Sequence, residues 1–328
     1  MSQASLAPQS GAELPPLKSI RGFHVGGSIV ELSDAPARTL QSVPGLEARA
    51  SDPNGRHAVG QLYVQHFALA RPAHPYPVFL WHGGGMTGCT WEQTPDGRPG
   101  WHDYFMRAGY DTYVSDAVER GRASWPAPEL VAGGQAEHRS IEQAWDLFRI
   151  GEPGAAQGYP GQQFPADCMP QLARQFVGRW VSNRERAIAA YAELLGRAGP
   201  GVVIAHSEGG RLAQSVLQAV PDRIKALVLV EPAGGVQADA AAFARMAAVP
   251  VCVLWGDYFD RSPLWRRYRE QTDAWLDGLA RAGGSVTRMD LPALGIAGNS
   301  HLPMMDRNNA ELAAMLDAWI QDTNNDSI

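Results

Sequence analysis

One serine, one histidine and two carboxylates stand where they could act together on a carbonyl carbon. The serine is Ser207, in Gly201-Val-Val-Ile-Ala205-His206-Ser207-Glu208-Gly209-Gly210. A buried apolar run stops abruptly there and a helical pattern begins, the context of a nucleophile elbow. So sharp a turn needs small residues around the serine. The usual spacing is G-x-S-x-G; Gly209 is in place, and Ala205 stands where the first glycine is expected. The plainer alternative is a serine that caps the N-terminus of the following helix. A serine hydroxyl attacks a carbonyl only when a base takes its proton and a carboxylate orients that base.

Of the nine histidines only His301 follows Ser207. It lies in Gly298-Asn299-Ser300-His301-Leu302-Pro303, between the last strand-like run and a C-terminal helical pattern, and is the candidate base. Two carboxylates compete to orient it. Glu231 directly follows the apolar run 226–230, and Asp257 follows 251–256. Both would stand at the carboxyl edge of a parallel sheet, where sites in such sheets are built. Strand position alone favours Asp257 narrowly, while Glu231 has an extra methylene with which to reach the imidazole. Asp260 is a weaker third.

A second segment would supply electrophilic help. Val78-Phe-Leu-Trp81-His82-Gly83-Gly84-Gly85-Met86-Thr87-Gly88-Cys89 is a strand pattern running into glycines. Acyl transfer needs backbone N–H groups aimed at the developing oxyanion, and glycine lets the backbone come close. Gly84 and Gly85 are the candidate donors, with the amide of Glu208 as the third. The same loop also fits Gly83-x-Gly85-x-x-Gly88, a dinucleotide fingerprint. Its acid would be Asp116, well beyond the usual interval of about 20 residues. A phosphate-binding loop is excluded, because Cys89 stands where its lysine belongs. No metal site is expected: there is no H-E-x-x-H, and His66, His74 and His82 do not share one helical face. Trp91, Trp101 and Trp125 are candidates to line an apolar pocket.

These groups need a scaffold that brings distant segments to one edge. Short apolar runs at 78–81, 110–114, 202–205, 226–230, 251–255 and 286–291 fit strands buried on both faces. Helical patterns alternate with them. Leu212, Val216 and Val220 recur every four residues before Pro221, and Leu312, Met315, Leu316, Trp319 and Ile320 share one helical face. The expectation is an α/β fold with a mostly parallel central sheet and helices on both faces. Strands at 28–32 and 61–70, with a turn at Asp52-Pro53-Asn54-Gly55, suggest an antiparallel start. Residues 117–170, rich in Gly, Pro, Gln and Ala with a weak helical pattern at 140–150, read as a cap inserted over the site. Residues 1–17 read as a tail and 18–328 as a single domain.

Composition narrows the field. The 328 residues are 45% hydrophobic and 19% charged, which excludes a disordered chain. The net charge of −6, without a basic stripe, argues against nucleic acid as a partner. No apolar run approaches the ~20 residues of a membrane span. Three cysteines without a CxxC pair leave the redox compartment open. The first 17 residues are polar and have no apolar signal core.

HGGG at 82–85, A-H-S-E-G at 205–209 and the late His301, in this order, resemble the α/β-hydrolase superfamily over roughly residues 60–320. The chain looks most like a small group of bacterial arylesterase-like hydrolases with large insertions. In that group the orienting acid is a Glu after the strand following the nucleophile. The resemblance thus sets Glu231 over Asp257. It implies a serine carboxylic-ester hydrolase without a cofactor, acting through Ser207, His301, Glu231 and an acyl-enzyme on small to medium aryl or cyclic esters. It also implies a homodimer and export to the periplasm or medium, with the cytoplasm as the alternative. Two rival classes are a dinucleotide-binding oxidoreductase using Gly83–Gly88 and a non-catalytic member of the fold that binds a small ligand.

Overall fold

A computed structural model describes residues 14–131 and 135–325. Most of the expected N-terminal tail lies outside these residues, and the first strand begins at Leu17. The strands are β1 (Leu17–Leu32), β2 (Arg38–Leu40), β3 (Arg49–Ser51), β4 (Gly55–Leu69), β5 (Val78–Trp81), β6 (Thr112–Asp116), β7 (Gly201–His206), β8 (Ile224–Val230), β9 (Val251–Trp255) and β10 (Val286–Asp290). The helices are α1 (Cys89–Glu92), α2 (Trp101–Arg107), α3 (Ile141–Leu147), α4 (Met169–Ala173), α5 (Arg184–Ala198), α6 (Glu208–Ala219), α7 (Ala240–Met246), α8 (Pro263–Arg281) and α9 (Asn309–Asn325). Among the described residues no helix is long and apolar enough to cross a membrane.

An eight-stranded sheet has the order β1-β4-β6-β5-β7-β8-β9-β10. β1 and β6 pair antiparallel with β4, and every pair from β6 to β10 is parallel. The antiparallel start is longer than expected, since β1 and β4 pair from Leu17↔Leu69 to Leu32↔Gly55. A small β2–β3 ladder, not anticipated from the sequence, leads into the Asp52–Gly55 turn.

Every residue of β5, β6, β7 and β9 is buried. Side chains along a strand alternate between faces, so such strands need apolar cover on both. Val203, Ala205, Leu227, Leu229 and Val253 join the core beneath α5, α6, α7 and α8. Their neighbours Val202, Ile204, Val228, Val230 and Leu254 join the other, with α2, α3, α4 and α9. Each fully buried Val or Leu contributes about 1.5–3 kcal/mol. These paired cores fix the height at which each parallel strand ends, and so where its next residue emerges.

Between β6 and α5 the described residues of the Gly- and Pro-rich stretch include short helices, α3 and α4. Ser140 starts α3 through a capping box: its hydroxyl accepts the Gln143 N–H at 3.1 Å, and the Gln143 side chain accepts the Ser140 N–H at 3.0 Å. Ala144, Trp145 and Phe148 then drop into the core on the α9 face of the sheet.

Candidate active site

Ser207 follows β7 and precedes α6, with φ 54° and ψ −117°. Holding an L-residue there costs about 1–3 kcal/mol. The neighbours impose it: the Ser207 N–H donates to Val230 O at 3.0 Å, and Ser207 O accepts from Ala233 at 3.0 Å and Arg211 at 3.2 Å. There is no room for side chains on the helix side. A Cβ on Gly209 would lie 2.5 Å from His82 O, and one on Gly210 would lie 3.0 Å from the Pro232 Cβ. Ala205 fits because its methyl is buried in the core under α6. The Ser207 side chain does not cap the helix.

Its hydroxyl instead meets His301, 3.0 Å from Nε2. The other ring nitrogen, Nδ1, lies 3.1 Å from Glu231 Oε2. A carboxylate there selects the tautomer with hydrogen on Nδ1, leaving Nε2 free to accept the serine proton. The imidazole packs against Trp265, 3.9 Å between ring centres, and against Phe148, at 5.6 Å. Its backbone is fixed as well: the His301 N–H donates to Phe148 O at 3.0 Å, and His301 O accepts from His206 Nε2 at 2.8 Å.

Glu231 directly follows β8 at φ 48° and is wholly buried. Its Oε1 accepts from the Gly256 N–H at 2.5 Å and from Arg149 Nη2 at 2.8 Å. Burial pushes this carboxyl up, and the Arg149 guanidinium and the Gly256 N–H pull it back toward the ionised form. Burial, then the charges of Arg149 and Arg139, hold His301 well below the usual histidine range. The imidazole is therefore neutral at neutral pH, as a proton acceptor must be. Asp257, favoured narrowly by strand position, does not reach the imidazole. Its Oδ1 accepts from Tyr258 N at 2.7 Å and its Oδ2 from Gly298 N at 2.9 Å, so it braces the histidine loop. Asp260 is exposed and pairs with Arg261.

The glycine loop packs directly on this group. A Cβ on Gly83 would lie 3.0 Å from the Ser207 Cβ, and one on Gly84 would lie 2.7 Å from Glu208 Oε2. His82 anchors the loop: Nδ1 bonds Gly83 O at 2.8 Å and Nε2 accepts the Ala117 N–H at 2.9 Å. That pattern requires a neutral ring, and burial lowers its pKa accordingly. Gly84 O accepts from Arg139 Nη1 at 3.2 Å, and Gly85 O accepts from the Val177 N–H at 3.0 Å. The dinucleotide alternative lacks its parts. The helix after the loop, α1, has four residues. Asp116 is committed to the Gly88 N–H at 2.7 Å and to Arg122 Nε at 2.8 Å.

A cavity of about 270 Å³ opens onto Ser207 and His301. Gly84 and Glu208 line it; Gly85 does not. Its apolar lining includes Met86, Leu147, Phe148, Leu264 and Trp265. Trp91 and Trp101 are core residues and Trp125 is 56% exposed, so none of the three anticipated tryptophans lines it. The sequence reading also missed Arg139, Arg149, Arg179 and Arg211. Arg149 carried a signal: it is the one charge in Leu147-Phe-Arg149-Ile150, a position that reads as buried.

Fold and site together define an α/β-hydrolase. No protein-family model matches the chain. A bacterial esterase of known structure superposes with a TM-score of 0.81 at 32% identity, covering 97% of this chain and 99% of that one. The chain belongs to the α/β-hydrolase superfamily, in the family of that esterase, and is a carboxylesterase-type hydrolase. Among curated proteins it is 26% identical over 327 residues to the probable secreted lipase phiG of a fungal species, covering 81% of this chain and 87% of that protein. It is also 37% identical over 163 residues to lipase LipV of Mycobacterium tuberculosis, covering 49% of this chain and 56% of that protein.

Proposed function

We propose that this esterase works through Ser207 as nucleophile, His301 as general base and Glu231 as the carboxylate that orients and charge-stabilises the imidazole. The observation that carries the reading is the pair of contacts from Ser207 Oγ to His301 Nε2 at 3.0 Å and from Nδ1 to Glu231 at 3.1 Å, with the serine on a strained turn. Ser207 Oγ attacks the ester carbonyl while its proton passes to Nε2. The amides of Gly84 and Glu208, both on the cavity wall, bind the oxyanion, whereas Gly85, expected as a further donor, does not line the cavity. The Glu208 amide belongs to the first turn of α6, whose N–H groups have no partner within the helix. The imidazolium returns its proton to the leaving alcohol. Water then gives a proton to His301 and its oxygen to the acyl carbon, and the imidazolium returns that proton to Ser207 Oγ as the acyl C–Oγ bond breaks, releasing the acid and restoring the free serine.

The aromatic and aliphatic lining, Phe148 and Trp265 above all, supports small to medium aryl or cyclic esters. The segment 117–170 acts as the cap, since Arg139, Leu147 and Phe148 come from it. Intact mass after a fluorophosphonate probe, followed by peptide mapping, tests the assignment. One adduct on Ser207 is expected. The Ser207→Ala protein should take no label and lose about 10³-fold or more in kcat. Near-full hydrolysis by that variant overturns the reading.

A further inference from the structure

Arginines crowd one part of the cavity that holds Ser207. Arg139, Arg179 and Arg211 line it beside a single carboxylate, Glu208. Arg120 stands behind Glu208, its side chain 3% exposed, with Nη2 3.5 Å from Glu208 Oε2. The same Glu208 and Arg211 also line an adjoining cavity of about 180 Å³ that Arg120 and Arg184 share. Among the described residues, Nε and Nη1 of Arg120 and Nε of Arg179 and of Arg211 are buried with no hydrogen-bond partner. Arg179 Nε is 3.7 Å from Glu208 and 3.6 Å from Glu137, near enough to pair but too far to bond. Among the described residues, Arg139 meets the Gly84 carbonyl and the faces of Phe148 and Phe176.

Among the described residues, Arg139, Arg179 and Arg211 thus share one carboxylate of the cavity wall, Glu208, with the exposed Glu137 beside it, while Arg120 behind also feels the charge of Glu119. His301, His206 and His82, imidazoles facing them, are held neutral by burial. A neutral ester entering this cavity would strip water from guanidinium N–H groups and offer them nothing, which is costly. A carboxylate matches the planar fork of an arginine with two parallel bonds.

We propose that the cavity selects esters bearing a second, ionised carboxylate within a few bonds of the scissile carbonyl. That carboxylate is held by Arg139, Arg179 and Arg211 while the carbonyl sits at Ser207. The inference rests on the catalytic reading above and names its substrate class. Hydrolysis of such a half-ester consumes one water, breaks the acyl C–O bond and yields a dicarboxylic acid and an alcohol, with one proton released at neutral pH. When the carboxylate is on the alcohol side, the products are a monocarboxylic acid and a hydroxy acid.

Two substrate pairs on the wild-type protein test it without any variant. One is monoethyl adipate against ethyl hexanoate, with the acid on the acyl side. The other is the butanoate ester of hydroxyacetic acid against propyl butanoate, with the acid on the alcohol side. In at least one pair the acidic ester should have a kcat/KM about tenfold higher or more. That preference should shrink as salt rises, and fall toward unity in Arg139→Gln and Arg211→Gln. Calorimetric binding of the same esters to Ser207→Ala separates the two readings. Tighter binding of the acidic ester without wild-type turnover would sink the catalytic assignment and leave this inference standing. Ratios near one in both pairs, in turnover and in binding alike, overturn it.

Discussion

Replacing Arg149 by Met tests whether one buried cation keeps Glu231 ionised, as the proposed mechanism needs. The guanidinium is 1% exposed and lies 2.8 Å from Glu231 Oε1 and 2.8 Å from the Asp257 carbonyl. Two unit charges about 4 Å apart interact by ~4 kcal/mol at an effective dielectric of about 20. Arg149 is the largest of the influences that hold the Glu231 carboxyl down against burial, so losing it lifts that carboxyl further. His301 moves the same way, because Arg149 is one of the charges that depress it. Wild-type kcat/KM should therefore hold down to a pH below 6.5, the ordinary value for histidine. In Arg149→Met the acid limb should move to higher pH, with activity partly regained under alkaline conditions. Removing one partner of a buried pair also costs about 3–5 kcal/mol, against a typical total of about 5–15 kcal/mol. The profile is thus measured well below the variant's own melting temperature, on an aryl ester read at the isosbestic wavelength of the released phenol. A folded variant whose acid limb stays in place or moves down refutes the role given to Arg149.

Glu231→Gln should cut kcat by about 10³–10⁴-fold, as loss of the orienting carboxylate does elsewhere, whereas Asp257→Asn should act mainly on melting temperature; the reverse pattern in steady-state kinetics would reassign the acid. Gly209→Ala places a Cβ 2.5 Å from the His82 carbonyl, so fluorophosphonate labelling of Ser207 should fall sharply even where circular dichroism shows a folded protein. Asp306 is buried beneath the histidine loop, bonded to Ser300 and Asn299, and burial pushes its carboxyl up to about 7. A carboxyl raised on folding contributes stability that is full below the unfolded value of 3.8 and is lost as pH rises through about 7. The melting-temperature difference between wild type and Asp306→Asn should therefore shift against the wild type across that window.

The strands that carry the site were readable because full burial writes itself as an apolar run. β5 and β9 begin and end where the pattern put them. β6 lies two residues later than its run suggested: the Tyr110 N–H donates to Phe105 O at 3.0 Å, closing the turn after α2, before the ladder begins at Thr112. β1 and β4 were read short, since half-exposed strands mix polar and apolar residues without a clean boundary. Serine and histidine were legible from order alone. The acid was not: β8 and β9 are neighbours, so Glu231 and Asp257 leave the same sheet edge side by side. Only the direction of each side chain separates them, and spacing does not encode it. The arginines were hidden for another reason. Arg139 in the Gly-rich stretch, Arg179 beyond it and Arg211 on α6 read as solvated until the tertiary fold closes over them, whereas Arg149 stood out within an apolar run.

The path of the chain between β6 and α5 has a consequence for how such a protein diversifies. That stretch reads as an exchangeable module, the part to swap when a new specificity is wanted. Yet it delivers Arg149 to the back of Glu231, and the Phe148 carbonyl to the backbone of His301. A transplant that brought a better-fitting pocket would arrive without the counter-ion and the tether that the chemistry uses. On the proposed mechanism, substrate choice and catalytic competence are thus inherited together, and a successful graft must keep residues 148 and 149 while changing what surrounds them.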